Sequence, residues 1–172
     1  MEKEKGIRAV SGPEQDFVGR ALLDWFNEYT QFPDRVSRIE SEYLPAKNGM
    51  GLFATQAAYK TREYISGAYE AQYQFSIHYR TAPSTSNQRL SAAEALSDLA
   101  SWAEQREQLP DLGPGKRAVS VERTSPAVML ARYEDGSEDY QILMVMDYEV
   151  RPEQKKGFNN HGREKKRTKN IY

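Results

Sequence analysis

The chain has no cysteine in 172 residues, which excludes disulfides, thiolate metal sites and cysteine nucleophiles. It has two histidines, His78 and His161, and nothing in the pattern brings them together. A metal site would have to gather carboxylates around one imidazole, and no cluster has that spacing. No run approaches the roughly 18 apolar residues that cross a bilayer. The charged start Met1-Glu2-Lys3-Glu4-Lys5 leads into no apolar segment, which argues against secretion. A soluble, intracellular chain with no membrane partner is the expectation.

Catalytic patterns are missing as well. The glycines at 49 and 51, and at 113 and 115, lack the phosphate-loop spacing and read as loop glycines. There is no G-x-S-x-G elbow for a serine nucleophile. The carboxylate pairs Glu40/Glu42 and Glu134/Asp135 fall on an exposed strand face and a hairpin tip, with no cleft to split their pKa values. No catalytic residue, cofactor or metal is expected, and the chain reads as a non-enzyme.

What is present is alternation. From Tyr69 to Tyr79 the residues Tyr69, Ala71, Tyr73, Phe75, Ile77 and Tyr79 alternate with Glu70, Gln72, Gln74, Ser76 and His78. Side chains on a strand project to opposite faces in turn, so this is one long, half-buried antiparallel strand. Its aromatic face needs cover, and two amphipathic stretches, 14–29 and 91–107, can supply it. The first opens at Ser11-Gly12-Pro13-Glu14, with Pro near the first helical position and an acid in the first turn. Phe17, Val18, Ala21, Leu22, Trp25, Phe26 and Tyr29 then form one stripe. Its polar face is acidic, which favours core packing over a membrane surface. The second opens at Ser91-Ala92-Ala93-Glu94, a capping-box pattern, and Leu109-Pro110-Asp111-Leu112-Gly113 stops it.

Short strands are expected at 36–45, 51–56, 61–65, 118–123 and 127–133. Glu134-Asp135-Gly136-Ser137 is a hairpin turn of the Asp-Gly kind. In the final strand Tyr140, Ile142, Met144, Met146, Tyr148 and Val150 line one face, and Leu143 and Val145 make the other face apolar too, predicting burial on both sides. Helices set between groups of antiparallel strands predict an α+β domain: an antiparallel or mixed sheet packed against two main helices. Residues 1–12 read as an N-terminal arm, 13–150 as the domain and 151–172 as a basic extension.

Charge is unevenly spread. Residues 151–172 hold eight Lys or Arg and two Glu, net +6; removing these from the chain's 24 basic and 25 acidic residues leaves 16 and 23, net −7. Such a tail is either solvated disorder or an arm for an acidic partner, nucleic acid or another copy's body. Lys155, Lys156, Arg163, Lys165, Lys166, Arg167 and Lys169 are its candidate partner-binding residues. The loops 46–51 and 82–89 come second, because projecting loops carry contacts; they contribute Lys47, Asn48, Met50, Ser84, Thr85, Asn87 and Arg89. The run Gly162–Lys169 suits phosphate neutralisation, and strand aromatics suit base stacking, but the RNP signature is absent and a helix-covered sheet explains Tyr73 and Phe75 more simply.

The order of marks is itself informative: Trp25-Phe26 on a short first helix, Glu42-Tyr43-Leu44-Pro45, the alternating strand, Ser91–Trp102 followed by Leu109-Pro110, and a closing hairpin with Tyr140-Gln141-Ile142-Leu143-Met144. Over roughly residues 14–150 this resembles the tail-terminator or minor capsid (head–tail joining) proteins of long-tailed bacteriophages. The resemblance implies a sheet flanked by helices and assembly into a six-fold ring. That ring would end the tail tube, dock onto the filled head and leave a lumen for DNA, without catalysis. Its implied partners are copies of itself, the tail tube protein, head–tail connector proteins, and DNA passing without sequence-specific binding. Its implied place is the head–tail junction of the virion, after synthesis in the bacterial host cytoplasm. A connector adaptor or stopper is the alternative within the same apparatus, and a small nucleic-acid-binding protein is the alternative outside it. Extended at about 3.3 Å per residue, the tail spans roughly 70 Å, enough to clamp an adjacent subunit.

Overall fold

The computed structural model describes residues 8–56 and 58–153. Its centre is a pair of long strands, β5 (Tyr69–Thr81) and β8 (Glu138–Val150), paired antiparallel along their whole length from Tyr69 opposite Val150 to Thr81 opposite Glu138. Period-two alternation puts Tyr73, Phe75 and Ile77 beside Met146, Met144 and Ile142 on one face, all of them buried. Shorter strands pair with the ends of this ribbon. On the β5 side lie β3 (Gly49–Ala54) and β4 (Tyr59–Glu63), flanked in turn by β2 (Ile39–Ser41) and β1 (Arg8–Ala9). On the β8 side lie β6 (Lys116–Arg123) and β7 (Val128–Arg132), end to end. The β2–β3 pair is parallel and the other pairs are antiparallel, so the sheet is mixed, with eight strands among the described residues.

Two helices cover the apolar face, making the α+β architecture that the alternation called for. In α1 (Gly12–Phe26), Ser11 Oγ accepts from the Glu14 amide and Pro13 sits in the first turn. The helix buries Val18, Leu22, Trp25 and Phe26, each contributing about 1.5–3 kcal/mol of apolar burial. Phe26 meets Phe75 of the sheet at 5.6 Å between ring centres. In α2 (Ser86–Gln105), Leu96 and Leu99 are fully buried, and Trp102 receives Trp25, Phe26 and Tyr29 at 5.1, 6.2 and 5.2 Å. Glu14 fixes the start of α1 to the sheet by accepting from the hydroxyls of Tyr69 and Tyr148. Burial, followed by that shared carboxylate, pushes both phenols well above their ordinary range.

Several expectations need correction. The 1–12 arm is structured from Arg8, because Arg8–Ala9 pairs with β4 and Ser11 caps α1; residues 1–7 lie outside the described residues. The second helix starts five residues before Ser91. Thr85 is the N-cap, its hydroxyl accepting from the Gln88 amide at 3.2 Å, while the Gln88 side chain takes the Ser84 amide at 2.7 Å. The same Ser/Thr-x-x-Glu/Gln pattern thus occurs earlier in the chain, and Ser91 is left inside the helix donating to the Asn87 carbonyl. The strand expected over 36–45 is cut to three residues, and Glu42 just after it takes a left-handed φ of 51°. Leu143 and Val145 are only half-buried, because both helices lie on the other face of β8.

Gly19 marks where α1 presses on the sheet: a Cβ there would lie 2.9 Å from the Tyr73 hydroxyl. Gly19→Leu should destabilise by about 1–2 kcal/mol, overpacking outweighing the recovered helix propensity. Gly12→Ala, with open space around it, should stay within about 0.5 kcal/mol of the parent. Chemical denaturation of the two variants checks both.

Candidate contact surface

Sheet edges are where one chain can meet another, because they present unpaired backbone donors and acceptors. The two edges of this sheet differ. At β2, the Asn27 side chain reaches the outer edge, its Oδ1 accepting from the Ile39 amide at 2.7 Å and its Nδ2 donating to the Ile39 carbonyl at 3.1 Å. An amide side chain therefore occupies the place of a neighbouring strand. At the opposite edge, β6 is held under α2 by Arg123, which donates to Glu104 and Ser101.

β7 has no such cover among the described residues. It pairs with β8 alone, and Val128, Met129 and Leu130 are 44 to 50 % exposed, with Tyr133 close by at 44 %. Bulges at Leu130 and, in β6, at Val119 turn both apolar side chains outward. The turn behind β7 is tightly made: Gly136 takes φ +86° and Asp135 Oδ1 accepts from the Ser137 amide and hydroxyl. The apolar strip therefore projects from a firm base.

That base is a buried charge network. Glu138, at the start of β8, accepts from Arg89 Nε at 3.0 Å, Arg132 Nε at 2.8 Å and the Tyr140 hydroxyl at 2.7 Å. Burial raises its pKa, but those three donors outweigh burial and leave it below its ordinary value. Next to it, Asp139 takes a two-pronged contact from Arg80 at 2.6 and 2.8 Å and a third bond from the Tyr133 hydroxyl. Here too desolvation is overcome and the carboxyl titrates low, while Tyr140, desolvated and bonded to Glu138, is pushed up to about 12. No buried side-chain nitrogen or oxygen among the described residues lacks a partner, and the network pins α2, β5 and the β7–β8 hairpin together, a structural role.

The loop residues expected to make contacts are scattered over this end of the molecule. Lys47 is exposed in the turn before β3, and Asn48 beside it is half-buried against Thr81. Met50 is a correction: it sits in β3, 1 % exposed and opposite Tyr79, because β3 begins two residues earlier than expected. Ser84 and Thr85 are occupied in capping α2. Asn87 and Arg89 lie in the first turns of that helix, and Arg89 is committed to Glu138. The tail set, Lys155, Lys156, Arg163, Lys165, Lys166, Arg167 and Lys169, lies outside the described residues. The β7 strip was legible as a strand but not as a surface. Its signal is three consecutive large apolar residues where a half-buried strand would alternate.

Among the described residues, no group of three or more His, Asp or Glu is placed to hold a metal ion. Nor, among the described residues, is any helix long and apolar enough to cross a membrane. No protein-family model and no curated protein matches the sequence. Among the solved structures that match, one whose name states no activity is similar at a TM-score of 0.43 and 14 % identity, over 81 % of this chain and 97 % of that one. So loose a likeness carries no argument.

On the uncovered face of β5, His78 bonds Ser76 Oγ at 2.9 Å and lies under the Phe53 ring. Burial, aided by Arg80 and opposed by Asp139 and Glu42, lowers its pKa below 6.5. The unfolded chain then binds the proton more readily. Stability should be complete above about pH 6.5 and fall as pH drops from there toward the folded value. Thermal melts across that window should show the decline, and His78→Gln should flatten it.

Proposed function

We propose that this chain is a structural subunit that works by contact with copies of itself, forming the closed ring that ends the tail tube and joins tail to head in a long-tailed phage particle. The observation that carries the self-contact is the β7 strip. An uncovered apolar edge strand is a liability for a lone soluble chain, and here Asn27 blunts the edge at β2 while β7 has no such cover among the described residues. A strip on one edge meeting a different surface of the next copy is a heterologous contact, and such contacts make rings when the rotation closes. The ring's place at the head–tail junction rests on the resemblance in the sequence. The alternative within that apparatus, an adaptor or stopper ring, uses the same contacts.

Native mass spectrometry of the full chain should find an assembly of several 19.7 kDa copies, six in the ring reading. Met129→Lys with Leu130→Lys should return it to single chains. Circular dichroism should be unchanged, because both side chains already face solvent in the subunit. A wild-type chain that stays single at every concentration, or an assembly indifferent to the double substitution, contradicts the reading. Salt-sensitive DNA binding by that single chain would favour the small nucleic-acid binder instead.

A further inference from the structure

A groove of about 480 Å³ runs along α1, and none of its lining belongs to β7. Its floor is apolar, made by Phe17, Trp25 and Leu109, and its rim carries Asp24, Glu28 and Asp111 against Arg20. Phe17 is 48 % exposed although it belongs to the apolar stripe of α1. Glu28 is paired with Arg106, whereas Asp24 and Asp111 have no cation within ion-pair distance among the described residues. An aromatic flanked by cations is the ligand chemistry that such a surface fits.

The described chain ends near the mouth of the groove, and the sequence beyond it holds that chemistry. The Arg151 amide donates to the Gly115 carbonyl at 2.7 Å, so the chain leaves β8 beside the 113–116 turn. In that turn Gly113 lies so close to Phe17 that a Cβ would stand 3.1 Å from the ring. Beyond Glu153 the sequence reads Gln154-Lys155-Lys156-Gly157-Phe158. Fully extended, those five residues span roughly 17 Å.

We propose that the α1 groove receives the basic segment 154–172 of its own chain, with Phe158 seated on Phe17 and Leu109 and with Lys155 and Lys156 facing Asp24 and Asp111. The segment's charge is then partly spent on its own body, which makes the tail a latched arm. This holds whether or not the copies form a ring, since it concerns one chain.

Carbodiimide coupling of the full chain, which joins a lysine amine to a carboxylate in direct contact, tests it. An equal mixture of unlabelled and nitrogen-15-labelled chains separates links within one copy from links between copies. Links from Lys155 or Lys156 to Asp24 or Asp111, within one copy and lost in high salt, are expected. Phe158→Ser should cut their yield about tenfold, the worth of part of one buried aromatic. Links that join two copies, that fall equally on Glu40 and Glu122 of the sheet, or that survive Phe158→Ser undiminished would overturn the proposal, as would no links at all.

Discussion

The full-length antiparallel pairing of β5 with β8 is the constraint from which the rest of the molecule follows. Paired from Tyr69 to Thr81, these strands offer two continuous faces, one of tyrosine, phenylalanine, isoleucine and methionine and the other mainly of polar residues. The first face cannot stay in water, so two amphipathic helices must lie on it, and their meeting point is the cluster of Trp25, Phe26 and Tyr29 around Trp102. Because each strand of the pair is longer than any neighbour, β3, β4, β6 and β7 each pair with only part of it. That leaves sheet corners, and in the proposed assembly the corners decide how one copy meets the next.

Those corners are treated unequally by the chemistry around them. Asn27 spends its amide on the edge of β2, and Arg123 fastens β6 to α2. The hairpin corner is instead stiffened from beneath by the paired carboxylates Glu138 and Asp139 with three arginines, and its outer surface is left apolar. Rigid support under an exposed apolar strip lowers the entropy that association must overcome. A subunit built this way is suited to contact, which is why the proposed role is structural.

Much of the fold was legible because it rests on short-range periodicities. The alternation at 69–79, the stripe from Phe17 to Tyr29 and the Asp-Gly turn each name their element without knowledge of the others. The misreadings came where two local patterns competed or where the answer lay across the sheet. Thr85 and Ser91 both head capping-box patterns, and only the packing of α2 shows which of them caps. Leu143 and Val145 looked buried because a strand's pattern does not say that both helices take the same face. Met50 followed turn residues and was read as loop, yet its register opposite Tyr79 makes it core. The β7 strip stayed hidden because its one local mark, the run Val128-Met129-Leu130, does not say whether anything covers it, which is a long-range property.

Backbone hydrogen exchange on the full chain, followed from dilute to concentrated solution, tests most directly whether copies meet at this edge. Amides of Val128–Arg132 should become protected as concentration rises, with Ile39, already capped by Asn27, unchanged. Protection that rises elsewhere while β7 continues to exchange freely would contradict the self-contact on which the proposed role depends.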